Sequence, residues 1–435
     1  MNSWPDTANI VFLLLLATGI GLFAYRMRQL IALIKMGRST GPVGDQKQRW
    51  RNVVRIALGQ SKMVTRPVSG LLHIVVYLGF VIINIEVVEI IIDGLFGTHR
   101  IFSSIGSVYG MLIGLFEVFA FMVFLAVVVF WLRRNALKLK RFWHPEMQGW
   151  PKKDADLILY FEMVLMTLFL VMNATDVPFQ EAASGNWISG HLYPLFASYT
   201  ADTLHLIERS AWWLHIAGIL VFLNYLYYSK HLHILLAFPN VYYGSVRPKG
   251  QFPNLASVTK EVRLMMDPSA DPYAAPPEGS EPEKFGASDV TDLSQIQLLN
   301  AMTCTECGRC TSECPANQTG KLLSPRKIMM DTRDRLVALG QQKQNDGPTI
   351  PDGKQLLDDY ITREELWACT TCNACVEACP ISIDPMSIIM SMRQYLVMEQ
   401  SAAPTELNAT MANIENNAAP WPFNQQDRGN WINEM

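Results

Sequence analysis

The chain has 435 residues, 50% of them hydrophobic and 17% charged, with a formal net charge of -3. That length implies at least two domains, and the near-neutral balance gives no footing for a nucleic-acid partner. The average hides a division: residues 1–236 hold several long apolar runs, whereas residues 250–435 are polar and carry every cysteine.

Apolar stretches of spanning length predict five transmembrane helices, at approximately 9–34, 69–92, 106–132, 155–174 and 211–236. The first apolar run, Asn9 to about Ala24, lacks a preceding basic stretch and is followed by Arg26 and Arg28, the pattern of an anchor and not of a cleaved export signal. Stretches such as 121–132 and 157–172 are apolar all round, which favours lipid over a soluble core. The segment after the first helix carries Lys35, Arg38, Lys47, Arg49, Arg51, Arg55, Lys62 and Arg66. The segment after the third carries Arg133, Arg134, Lys138, Lys140, Arg141, Lys152 and Lys153. The opposite loops are mostly acidic, with Asp93, Asp176, Glu181, Asp202 and Glu208 beside Arg100 and Arg209. The positive-inside rule then places the N-terminus outside and everything after the fifth helix in the cytoplasm, at a multi-pass cytoplasmic membrane.

Ionisable side chains within a bilayer are costly, so each is a functional candidate. His73 lies one turn into the second helix, and His231 and His233 lie at the inner end of the fifth. His73 and His233 share a depth on different helices, and two facing imidazoles make a b-type haem site. A continuous fifth helix would put His215 on the same face as His233, about 27 Å away, with His231 on nearly the opposite face at headgroup level. His215 invites a second, outer haem, but the matching position on the second helix is Ile83, which cannot coordinate. Glu86 and Glu89 are close in depth, and His99 lies just outside. With Glu117 and Glu162, these glutamates could carry protons or simply pack helices. Tyr225, Tyr227, Tyr228 and Lys230 form an interfacial belt, part of which could line a quinone pocket near the inner haem. His144, His191 and His205 read as loop or interfacial residues.

A proline-, glycine- and acid-rich linker, 266–289, separates the halves, preceded by a short helix predicted over 257–265. All eight cysteines then fall into two copies of C-x2-C-x2-C-x3-C-P: Cys304, Cys307, Cys310 and Cys314 before Pro315, and Cys369, Cys372, Cys375 and Cys379 before Pro380. This run holds cubane iron–sulfur clusters, with the fourth cysteine of each copy serving the other cluster. Cys304, Cys307, Cys310 and Cys379 are therefore assigned to one 4Fe-4S cluster, and Cys369, Cys372, Cys375 and Cys314 to the second. Zinc prefers two separated ligand pairs, and disulfides need an oxidising compartment; neither suits these runs. Helices are predicted over 325–339 and 385–399, and Thr362 with Glu365 forms a capping box. The domain is thus a helical ferredoxin, with Arg309, Lys321 and Arg326 either tuning the first cluster or solvated.

With both halves in hand, a family resemblance emerges. The five helices, the histidine early on helix two and the histidines at both ends of helix five resemble the haem b membrane subunits of respiratory nitrate reductase and heterodisulfide reductase. Residues from about 290 to 400 resemble the C-type ferredoxin subunit of heterodisulfide reductase. The tail from Asn413 to Trp431 looks like a docking segment of the same group. The second haem ligand of helix two in that pattern is here Ile83, and no paired CCG motif follows the cysteine runs. The resemblance therefore implies a separate cytoplasmic partner, a CCG-domain protein or flavoprotein.

The expected architecture is all-α. Residues 1–240 form a five-helix transmembrane haem b domain, 241–290 a linker, 291–400 a dicluster ferredoxin domain and 401–435 a docking tail. The expected function is electron relay between the partner, the two clusters, haem b and the quinone pool. Two alternatives stand: a subunit of a quinol-linked thiol–disulfide enzyme, and a membrane redox sensor or assembly anchor.

Overall fold

The computed structural model describes residues 5–41, 44–248, 250–252, 254–269, 284–346 and 352–434. Five helices are long and apolar enough to cross a membrane. They are α1 (Thr7–Ile34), α2 (Pro67–Phe96), α3 (Ser107–Trp131), α4 (Trp150–Thr175) and α5 (Ala201–Tyr225). Local chemistry sets their ends. The Asp6 carboxylate caps α1 by accepting the Asn9 N–H, and the Thr200 hydroxyl caps α5 by accepting that of Thr203. Proline lies in the first turn of α2 and of α4, where its missing N–H costs nothing. Sequence neighbours pack side by side from α2 to α5, and α1 lies against α2 and α5. Glycine permits the closest approaches: a Cβ at Gly79 would come within 2.5 Å of Val123, and one at Gly94 within 2.6 Å of Phe12.

The fifth helix departs from expectation. It starts ten residues early, at Ala201, and breaks before the inner histidines, because Ser229 is extended at φ -114°, ψ 145°. The break is satisfied from within: the Ser229 hydroxyl accepts the His231 N–H at 3.1 Å, and Asp154 of α4 accepts the Lys230 N–H at 3.1 Å. A second helix, α6 (His233–Tyr243), then leads away. The helical-wheel relation of His215, His231 and His233 therefore does not hold.

The longer of the remaining helices are α7 (Ala256–Met266), α8 (Gln295–Thr303), α9 (Pro325–Asp346), α10 (Pro385–Met398) and α11 (Thr405–Asn417). The expected linker thus begins inside α6 and contains α7; its proline-rich stretch, 270–283, lies outside the described residues. Leu293, Leu298, Ile328, Leu336, Ile388 and Met392 form the core of the second half. The Thr362–Glu365 capping box is present. No residue of α11 is buried.

The halves are joined by more than covalent connection. Leu33, at the end of α1, is part of the second half's core. The Arg38 N–H donates to Leu293 O at 2.8 Å, and the Gln295 N–H returns to Arg38 O at 3.0 Å. Between the halves Lys230 donates to the Glu306 carboxylate, whose other oxygen accepts from Arg333 at 2.7 Å. Burial would raise the Glu306 pKa, but Lys230 and Arg333 outweigh it and hold the carboxyl below its usual range. Glu306→Gln leaves two cations short of their partner, and is expected to cost about 3 kcal/mol of stability in a thermal or denaturant melt of the full chain. Because the folded pKa is depressed, this contribution is full above about pH 4.3 and fades as pH falls through the lower folded value.

Candidate redox site

The two cysteine runs fold alike. Each passes through the left-handed region at the same two places: Glu306 (φ 55°) and Gly308 (φ 72°) in the first, Thr371 (φ 56°) and Asn373 (φ 61°) in the second. Each then enters a short helix, Arg309–Ser312 or Ala374–Ala378. Such backbone turns its N–H groups inward and makes a concavity suited to an anionic group. A Cβ at Gly308 would come within 2.5 Å of Arg326 Nη1, so this turn is closed to larger residues on two counts.

Cys314 stands with Cys369, Cys372 and Cys375 around one small cavity. Cys379 stands with the first run. Burial pushes the Cys304 thiol up to about 12 and the Cys379 thiol up to about 11, with Cys307 adding to both. Cys310 is raised well above the usual thiol range, first by burial and then by Cys304, Cys307 and Cys379. Thiols so held are poor free nucleophiles; a metal core would deprotonate them. Among the described residues, no three cysteines bring their sulfurs within 4.8 Å of one another. Sulfurs about 2.3 Å from one zinc ion would stand closer together than that, so the spread suits a multi-atom cluster.

The arginines near the first run are not solvated. Arg326 is fully buried, donating to Arg141 O at 2.6 Å and Glu146 at 2.7 Å. Arg309, also buried, donates to Lys62 O and Met63 O at 3.1 and 3.2 Å. Lys321 is exposed. Glu146, Arg141 and Lys62 all come from loops of the membrane half, so the first cysteine run docks directly on the bundle. Sequence reasoning missed these partners because they lie more than a hundred residues away.

The histidines gather at that same end. The His73 and His233 rings lie 6.4 Å apart between centroids, inclined at 44°. Two imidazoles bridged by one iron would stand ~6 Å apart, from two metal–nitrogen bonds of about 2 Å plus the ring radii. His233 Nδ1 faces Lys230 O at 3.2 Å, the backbone contact that orients a ligating histidine and frees its Nε2. His73 Nδ1 is buried without a hydrogen-bond partner. His231 does not face away from His233: its ring is 5.5 Å from that of His233, and its Nε2 is 3.9 Å from Glu162. Burial pushes the His231 pKa down to about 3, so it is neutral. His215 is 2% exposed, with Nδ1 unpartnered and the Phe169 ring at 6.1 Å.

A family model for the 4Fe-4S dicluster domain matches residues 303–383, which hold all eight cysteines. The second half is an iron–sulfur domain. The whole chain is 28% identical to the probable iron-sulfur-binding oxidoreductase FadF of Bacillus subtilis, covering 100% of this chain and 62% of that protein. It is 24% identical to an EtfAB:quinone oxidoreductase of Syntrophomonas wolfei, covering 98% and 59%. The chain thus spans less than two thirds of either relative's length. The C-type subunit of a ferredoxin/F(420)H(2)-dependent CoB-CoM heterodisulfide reductase from Methanosarcina acetivorans is 30% identical over 27% of this chain and 60% of its own. No solved structure is significantly similar to the chain.

At the far end of the bundle lies a cavity of about 240 Å³, lined by Glu86, Glu89, His99, Arg100, Trp212 and Trp213 among others. His99, Asp176 and Glu208 bring ligand atoms within 4.8 Å of one another there. Arg100 already donates to Asp176 at 2.8 Å, and Arg209 pairs with Glu208. Glu89 accepts from Tyr109 at 2.9 Å, and Glu117 from Asn173 at 3.0 Å. Glu86 is 3% exposed and its Oε2 has no partner. Of the glutamates weighed from sequence, Glu89 and Glu117 hold helices and loops together, whereas Glu86 is free to bind.

Proposed function

We propose that this chain is the membrane electron-transfer subunit of a quinone-linked oxidoreductase. Two 4Fe-4S clusters sit on the cysteine sets named above, and haem b on His73 and His233. The N-terminus is outside, and the iron–sulfur domain faces the cytoplasm at the cytoplasmic membrane. The observation that carries this reading is the 6.4 Å separation of His73 and His233, at the end of the bundle where the first cysteine run docks. When bound, these groups exchange single electrons. The placement of the chain's own residues supports an order for them. Cys372 is exposed, so the second set faces a soluble partner. The first set faces the bundle through Arg309, Arg326 and Lys62. The route runs from partner to second set, first set, histidine pair and quinone, and is open in either direction. The names of the Bacillus and Syntrophomonas relatives support the oxidoreductase and the quinone.

The inner tyrosine group is the poorer quinone site, because Tyr225 and Lys230 are already engaged. Tyr225 donates to Asp154 at 2.6 Å, and Lys230 to Glu306 and to Pro151 O. The far cavity fits a planar head group better, with two tryptophans for the ring and the unpartnered Glu86 carboxyl for a quinone oxygen or a proton. The exposed tail, with Trp421, Phe423 and Trp431 each more than half exposed, supports a partner subunit. A second reading, a thiol–disulfide partner, is favoured by the relative named as a heterodisulfide reductase subunit.

The test is haem and iron content of the purified complex with a reduced-minus-oxidised visible spectrum. One b haem and about eight non-haem irons per chain, four for each cubane, is the expected result. Iron without haem would refute the histidine assignment; two haems would show that His215 has a ligand of another kind. Glu86→Leu is expected to weaken a quinone analogue roughly tenfold while haem content is unchanged, the loss of the one hydrogen bond that the protonated carboxyl would donate to a quinone oxygen.

A further inference from the structure

A cavity of about 490 Å³ opens at the end of the bundle that bears the iron–sulfur domain, where α2 begins and α3 has just ended. Four cations line it, Arg66, Arg133, Lys140 and Arg141, and no acid does. Arg66 has partners, Glu313 at 2.8 Å and Ser312 at 2.5 Å. Arg133, Lys140 and Arg141 have no carboxylate partner among the described residues. The Arg141 guanidinium lies 4.7 Å from the Phe142 ring, and its buried Nε has no hydrogen-bond partner. The first turn of α2 borders the same cavity, and its N-cap, Arg66, supplies no side-chain hydrogen bond. Cations gathered this closely repel one another unless an anion sits among them. The bundle elsewhere avoids this cost: Arg100, Arg209 and Lys230 each have a carboxylate.

The surroundings indicate what kind of anion. Among the cations stands an apolar side chain that no protein covers, Val68 at 58% exposed, and Leu132, the chain neighbour of Arg133, is 42% exposed. Both lie on the outer surface of spanning helices, where acyl chains run. A soluble phosphate would satisfy the cations and leave these residues bare. An amphiphile satisfies both.

We infer that this cavity binds the phosphodiester head group of an anionic phospholipid from the leaflet on the iron–sulfur side. Basic pockets between spanning helices on the cytoplasmic side are suited to such head groups, each nearby cation adding to the attraction. The inference rests on the bundle's membrane character and not on the haem or quinone assignments, so it survives or fails apart from them. Arg141 gives the site a second consequence. Its carbonyl accepts from Arg326, and its Cβ stands 3.5 Å from where a Cβ on Gly308 would lie. The lipid site and the first cysteine run therefore share a wall, and an occupant would hold that wall in place.

The experiment uses the full chain, delipidated in neutral detergent and examined by native mass spectrometry. Phosphatidylglycerol, phosphatidylcholine and inorganic phosphate are titrated in turn. The expected result is a bound phosphatidylglycerol held roughly tenfold more tightly than phosphatidylcholine, with that preference lost in Arg133→Gln/Lys140→Gln. Lys153→Gln, at an exposed position outside the cavity, should leave it intact. Iron content and cluster absorbance report that each variant is folded. Should the double variant lose iron, Lys140→Gln alone decides, because that side chain is exposed and makes no inter-domain bond. Equal retention of the two lipids, or full retention of phosphatidylglycerol by the variant, overturns the proposal. Displacement of phosphatidylglycerol by inorganic phosphate at similar concentration overturns the lipid and leaves a site for a free anion.

Discussion

His73→Ala is expected to abolish the b-type spectrum while about eight irons per chain remain. The change would remove one of the two imidazoles proposed to hold the haem, and among the described residues no other imidazole is placed to replace it without moving the chain. His231 is the nearest substitute, 5.5 Å from the His233 ring. It would face His233 nearly edge-on, at 82°, and its Nε2 already lies near Glu162. Retention of a full haem signal would show that His233 and His231, or another pair, hold the iron. The companion substitution Ile83→His bears on the outer position. If the matching depth is right, it should give His215 a partner and add a second haem.

The other large effect concerns the exchange of ligands between the cysteine runs. Cys379→Ser is expected to damage the cluster held by Cys304, Cys307 and Cys310, halving the iron or converting that cluster to a form with an altered electron paramagnetic resonance signal. Cys314→Ser should do the same to the other. The decisive readout is which cluster changes. The two can be told apart because one set lies among Arg309, Arg326 and Lys62, and the other near the surface at Cys372. Damage from Cys379→Ser confined to the cluster of Cys369, Cys372 and Cys375 would refute the exchange.

Much of this arrangement was legible in the sequence because its signals are local. The doubled cysteine spacing and the capping box at Thr362 act over a few residues, and the first four apolar runs give spanning helices close to where they are expected. The helix break at Ser229 was not legible. Residues 211–236 are apolar enough to read as one helix, and the break depends on Asp154, supplied by a different helix. The dock of the first cysteine run was hidden for the same reason: Arg326 looks like a surface cation until Glu146 and the Arg141 carbonyl are brought to it. Nor does anything near Leu33 announce that the end of the first helix completes the core of the other half. The pairing of His73 with His233 came from membrane depth alone and does not depend on the helical-wheel argument.

The interlacing of the cysteine runs has a bearing on how the chain matures. A cluster whose ligands come from both runs is also a clasp, closing the loop from Cys314 to Cys369. That loop carries α9, and with it the Arg326 contacts to Arg141 and Glu146 that help fasten the iron–sulfur domain to the bundle. Without iron the loop is open, and the entropy of closing it falls on those few contacts. On the proposed ligand exchange, metal insertion would shorten the search for closure and tighten a dock that Leu33, Arg38 and Lys230 already begin. Iron supply would then set how firmly the two halves hold together, and not only whether electrons pass between them.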